Sequence, residues 1–233
     1  MVPQPVHFFH MHVGHGHVPS RWDIPAEEHF SLLRITRFGG RVLAGIVGDP
    51  DNRAKAGKWL DKAWPGWRPA VYADEGYEQP TISAMHRWAR AADPATPVLY
   101  THGKGAFQDT PHNHNWRRAM EDRLIGSWSE HVLTLGSGKF DAIGCHWLTH
   151  EEFPVTITEG KPMFGGNFWW ATAGYLAKLA PVQGGDPNLG YNRYKAEEWI
   201  GQGNPRVLDL SPGWPQYEET GGYNSILGGR LHA

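Results

Sequence analysis

Cysteine is nearly absent from this chain: Cys145 is the sole thiol in 233 residues. No disulfide can form within it, and a cysteine-rich zinc site has no ligands to draw on. Long apolar runs are absent too, and none approaches the ~20 residues of a membrane span. No cluster of five or more Lys or Arg occurs, and the net charge is -2 with a pI near 6.7. A nucleic-acid or anionic-membrane partner therefore has no electrostatic support. The opening Met1-Val2-Pro3-Gln4-Pro5 lacks the basic-then-apolar order of a signal peptide. A cytoplasmic protein with no membrane span is expected; oligomeric state is left open.

What is present is tryptophan, at 12 residues, in a chain whose mean hydropathy is only -0.52. Such rings are seldom scattered without a packing or binding reason. Apolar runs alternate with helical patterns. Val6–Val13, Arg41–Val47, Pro69–Ala73, Pro97–Tyr100 and Phe140–Cys145 read as strands, with a last one near Val207–Leu210. Helices are expected from Pro25, over Asn52–Ala63 behind an Asp51 cap, through Ile82–Ala92, and near Ala171–Leu179. Trp116, Met120, Leu124, Trp128, Val132 and Leu135 predict one continuous helix of about five turns. The order implies a single α/β domain over 1–233, an open, mostly parallel sheet with helices on both faces, and a Gly/Pro-rich tail over 211–233. Ligands on such sheets sit beyond the carboxyl ends of the strands.

Three segments carry chemistry. Thr101-His102-Gly103-Lys104-Gly105 follows a buried-type strand, where glycines admit close backbone approach and Lys104 offers a cation for a diphosphate. Gly165-Gly166-Asn167-Phe168-Trp169-Trp170 sets a glycine turn before an aromatic run, a surface suited to the C–H faces and hydroxyl rim of a sugar. At least one of its rings is expected in the core and one at an acceptor site, on a helix start that Asn167 caps or leaves free to bind. Arg193-Tyr194-Lys195-Ala196-Glu197-Glu198 supplies carboxylates, either of which could act as a general base. Glu197 and Glu198 lie about 100° apart around a helix, so both do not serve one hydroxyl.

Together with Trp199-Ile200-Gly201, these segments resemble a group of bacterial and viral glycosyltransferase-like proteins. Their motifs read His-Thr-Lys-Gly, then Gly-Asn-Phe-Trp-Trp-Ala, then Arg-Tyr-Asp-Ala-Glu and Trp-Ile-Gly. Here Gly103 stands for the Thr and Lys195 for the Asp, over a span from Val6 to Leu210. The resemblance implies a GT-A-like, Rossmann-like fold, a nucleotide-sugar co-substrate, and a glycan or protein hydroxyl as acceptor. It implies Glu197 as base in an inverting transfer, with Lys104 and His102 at the departing diphosphate. His10, His12, Thr101, Gly103, Gly105 and Arg193 would bind the donor. Gly165, Gly166, Asn167, Phe168, Trp169, Trp170 and Glu198 would bind the acceptor sugar. The metal-holding Asp-x-Asp of many such enzymes is absent after the fourth strand, and Asp49-Pro50-Asp51 reads as a turn. Cations can replace the ion: a charge about 4 Å from a phosphate oxygen is worth on the order of 4 kcal/mol at an effective dielectric of 20. Whether Mn or Mg takes part stays open.

Two alternatives stand beside this. His7, His10, His12, His15 and His17, with His112, His114, His146 and His150 downstream, could hold a hydrolytic metal. The aromatic run could also serve a non-catalytic carbohydrate-binding protein. Asp74, Glu78 and Thr81 near the third strand are further donor-site candidates.

Overall fold

A computed structural model describes residues 3–15, 20–149, 161–185 and 192–211. His17, His150 and all of the tail beyond Ser211 lie outside them. Strand β1 (Val6–His12) is buried at every position but the last, histidines included, and β2 (Arg41–Val47) is a nearly unbroken apolar run, as suits strands covered on both faces. They pair in parallel from Val6 with Arg41 to His12 with Val47. On one side β3 (Arg68–Ala73) completes the edge; on the other β4 (Pro97–His102) pairs in parallel with β1. The remaining strands are β5 (Ala142–Gly144), a short hairpin of β6 (Trp147–Leu148) and β7 (Met163–Phe164), β8 (Trp169–Thr172) and β9 (Val207–Asp209). Seven of these make one sheet in the order β3-β2-β1-β4-β8-β5-β9, with β8 antiparallel to both neighbours.

Helices cover both faces. On one, α1 (Asp23–Ile35), α2 (Pro50–Ala63), α4 (Pro111–Gly126) and α5 (Trp128–Gly136) pack on Phe9, Met11, Leu99 and Trp170. On the other, α3 (Gln79–Ala89), α6 (Ala173–Leu176) and α7 (Tyr194–Glu197) pack on Val6, Phe8, Tyr100 and Trp169. The alternation of β1 side chains between the two cores is the period-2 geometry of a strand. The fold is thus the mixed α/β class expected, with a mostly parallel sheet.

Three local expectations are corrected. Helix α2 begins at Pro50, so Asp51 sits inside the first turn, where it complements the helix dipole, and is not the cap. The helix expected from Trp116 to Leu135 is two: Ser127 leaves helical geometry at φ -115°, ψ 34°. Side chains compensate for the break. Trp170 Nε1 donates to the Leu124 carbonyl at 2.9 Å, and His131 Nε2 to that of Arg123 at 2.8 Å. The third correction matters most: Trp169 and Trp170 begin a strand, not a helix, and Thr172, not Asn167, caps the short helix that follows by accepting from the Tyr175 amide. No helix among the described residues is long and apolar enough to cross a membrane.

Because Trp170 is fully buried, Trp170→Ala should cost about 3–5 kcal/mol of stability. Denaturant unfolding measures it; an unchanged midpoint would return that ring to the surface.

Candidate functional site

The parallel pairing of β1 with β4 sets His10 beside His102, so both strands end on the same edge of the sheet. The chain then folds back: the Gly103 amide donates to the His10 carbonyl at 3.0 Å. Gly105, at φ +96°, takes a left-handed conformation that closes the loop. Lys104 is held at both ends. Its carbonyl accepts from Arg117 at 2.9 Å, and its Nζ lies 3.8 Å from the centroid of the Trp116 ring. Arg117 itself is fully buried on α4 and bonded to Glu28 of α1 and, at 3.0 Å, to His114.

Strand β8 supplies the second wall. Being antiparallel, it starts where β4 ends, which places the turn Gly165-Gly166-Asn167 over His102. Gly166 (φ +83°) and Asn167 (φ +57°) are both left-handed, a conformation Asn tolerates better than most residues. His102 Nε2 donates to the Gly166 carbonyl at 2.9 Å. The buried Asn167 amide donates to Glu78 Oε2 at 2.7 Å and accepts from Trp169 Nε1 at 2.8 Å. Tyr100 also donates to Glu78 Oε2, at 2.7 Å. The third wall arrives through Gln79, whose amide donates to the Asn192 carbonyl at 2.8 Å. That bond draws the segment bearing Arg193 and Glu197 to the start of α3.

The result is a cleft of about 440 Å³ lined by Glu78, Lys104, Arg193 and Glu197, together with His10, His12, His102, Gly103, Gly105 and Gly166. Its rim carries Tyr77 and Phe107.

The family described as Domain of unknown function (DUF8361) matches residues 8–184 of this chain. The chain belongs to that family. The matched span takes in Glu78, Lys104 and Asn167 and ends before Arg193 and Glu197. No curated protein matches. Among solved structures, a nucleotide-diphospho-sugar transferase candidate from Desulfovibrio desulfuricans G20 is 12% identical with a TM-score of 0.45, covering 97% of this chain and 94% of its own. A 4-diphosphocytidyl-2C-methyl-D-erythritol synthase is 10% identical with a TM-score of 0.39, covering 89% of each. Neither likeness carries a functional argument.

Several expected site residues of this DUF8361 protein lie elsewhere. Phe168, Trp169 and Trp170 are fully buried, the two tryptophans on opposite faces of the sheet, so no aromatic wall faces the cleft from β8. Asn167 is buried, its amide committed to Glu78 and Trp169. Thr101 points into the core and meets His7 Nε2 at 2.9 Å. Gly165 packs against His146 and Leu148, and Glu198 is buried with Lys195 Nζ 3.9 Å away. Asp74 is exposed and pairs with Arg53, while Thr81 accepts or donates to His10 Nδ1 at 2.8 Å under the cleft. Among the described residues no group of three or more His, Cys, Asp or Glu is arranged to hold a metal ion.

Burial governs the electrostatics. It pushes Glu78 up to about 7, against the hydrogen bonds of Tyr100 and Asn167 and the charges of Lys104 and Arg193. Glu197 is pushed up to about 7 by burial and then by the neighbouring Glu78 charge. Lys104 is brought down to about 8 by burial, while Glu197 and Glu78 hold it up. His102 falls to about 3, by burial and then by Lys104, and is neutral with its Nε2 proton committed to Gly166. That removes His102 as a cationic clamp. His10 is held well below its ordinary value by burial, and His12 falls to about 4 by burial and then His15. The cations of the cleft are Lys104 and Arg193.

Sequence reasoning underrated Glu78 and missed Tyr77, Phe107 and the Trp116 and Arg117 supports. Position at the carboxyl end of β3 was the available signal for the first two.

The charge of Glu78 raises the proton affinity of Glu197. Side-chain carboxyl NMR should show both rising well above the ordinary glutamate value of 4.5. Glu78→Gln should lower the Glu197 value, since a repelling charge is removed; an unchanged or raised value would contradict the coupling.

Proposed function

We propose that the protein is a glycosyltransferase that moves a sugar from a nucleotide-sugar donor to a hydroxyl of a glycan or protein. The observation that carries this reading is the meeting of Lys104 and Arg193 with Glu197 and Glu78 in one cleft at the carboxyl ends of β1 and β4. A diphosphate needs fixed cations, and an attacking hydroxyl needs a base of raised pKa; the cleft offers both within reach of one ligand.

In the mechanism proposed, an oxygen of Glu197 takes the proton of the acceptor hydroxyl. The hydroxyl oxygen so freed forms its bond to the anomeric carbon as the bond from that carbon to the phosphate oxygen breaks, with inversion. The nucleoside diphosphate leaves with the bonding electron pair, and Lys104 and Arg193 face the charge it gains. His102 contributes no charge; it holds the Gly165-Gly166 turn. His10 and His12, neutral at the end of β1, line the part of the cleft open to the nucleotide. Any divalent ion would be held by the diphosphate with the cleft carboxylates, Glu78 and Glu197. The resemblance of the strand-end and late motifs to glycosyltransferase-like proteins supports the same assignment.

A base near 7 and a lysine near 8 confine the active window. Transfer should rise with pH through about 7 as Glu197 ionises and fall beyond about 8 as Lys104 loses its proton. Glu197→Gln should retain donor binding and lose transfer by roughly 10²–10⁴-fold. Calorimetry with nucleotide sugars followed by a transfer assay tests both. Full turnover in the variant would eliminate Glu197 as base, and a wild-type protein that binds no nucleotide diphosphate would eliminate the reading.

A further inference from the structure

With the β8 rings buried, the surface that recognises the sugar must lie elsewhere in the cleft. Saccharide sites combine an aromatic face, which covers ring C–H groups, with fixed polar groups that read hydroxyls. Two strongly exposed aromatic rings line this cleft: Phe107, 45% exposed, and Tyr77, 46% exposed. Their surroundings differ. Phe107 stands edge-on to His12 with ring centroids 4.6 Å apart, and His12 stands edge-on to His15 at 4.9 Å, so that end is aromatic. Tyr77 adjoins Glu78.

The Glu78 carboxylate is half satisfied. Oε2 accepts from Tyr100 and Asn167, each at 2.7 Å, which fixes the plane of the group. Oε1 has no donor among the described residues. His102 Nε2 is 4.0 Å away from it and bonded to Gly166. The side chain is only 12% exposed, so a ligand that fills the cleft strips the remaining water from Oε1. An oxygen of the ionised carboxylate left bare is costly, so the ligand group that meets this form of Glu78 must donate a hydrogen bond. A phosphate cannot; a hydroxyl can.

We propose that Tyr77 and Glu78 form the sugar-reading end of the cleft, Glu78 accepting from a hydroxyl of the transferred hexose while the Tyr77 ring covers its C–H face. This rests on the nucleotide-sugar reading above and narrows its substrate class. The donor carries a free hydroxyl where it meets Glu78. A carboxylate at that position, as in some acidic sugars, is repelled.

Calorimetry on the full chain tests it, with uridine and guanosine diphosphates and their glucose and mannose conjugates as probes. Glu78→Gln and Tyr77→Ala should each weaken the accepted conjugate about tenfold or more and leave the bare diphosphate within about twofold. In the wild type, a conjugate deoxygenated at the recognised position should show the same loss, and Glu78→Gln should no longer distinguish it from the parent. Equal effects on conjugate and diphosphate, or no effect on either, overturn the proposal while leaving the donor reading intact. A wild-type chain that binds none of the probes overturns both. Because the deoxy comparison uses unaltered protein, a poorly folded variant does not blunt the test.

Discussion

Between β4 and β5, which both run the other way, β8 is antiparallel, so its first residues meet the last residues of β4. The architecture of the cleft follows from that reversal. A parallel strand in the same place would put its amino end at the far edge of the sheet. Here the turn before β8 lies over His102, and the Asn167 amide reaches Glu78 on one side and Trp169 on the other. Trp169 and Trp170 anchor the strand in both cores at once, so the turn is held by two fully buried rings. Position at the site derives from burial beneath it.

The same burial sets the charges. Removing water from two carboxylates disfavours their ionised forms, and the charge of Glu78 further penalises that of Glu197. Removing water from Lys104 disfavours its cation, yet those carboxylates oppose the loss. The outcome is a group of residues whose proton affinities converge near neutrality from opposite directions. Histidines around them are driven neutral, because their desolvation is offset by no adjacent carboxylate strong enough to compensate. A cleft of this kind changes its charge readily when an anionic ligand enters. That property suits an exchange between a phosphorylated leaving group and a hydroxyl nucleophile, on the function proposed.

Much of the frame was legible in the chain. β2 declared itself as a nearly continuous apolar run, β1 by its spaced Val6, Phe8, Phe9 and Met11, and β4 by Pro97–Tyr100, and their parallel pairing brought the Lys104 loop to the expected edge. The segment from Phe168 to Thr172 misled because adjacent tryptophans show no alternation: both are buried, on opposite faces, so the strand carries no period-2 signal. The α4–α5 break was hidden because apolar residues on both sides of Ser127 face one core. Glu78 was only faintly marked, since its importance comes from Tyr100 and Asn167, partners distant in the chain. With the β8 rings buried, the sugar recognition we propose falls to Tyr77 and Glu78 at the cleft.

A crystal structure of the protein with a nucleoside-diphosphate hexose is the most direct test of the central claim, that one ligand bridges the cationic and acidic walls. The account predicts the diphosphate against Lys104 and Arg193 with the hexose between Glu78 and Glu197. A ligand seated instead in the shallow groove beside α2 and β3, near Trp67 and Tyr72, or one whose sugar points away from both carboxylates, would contradict it.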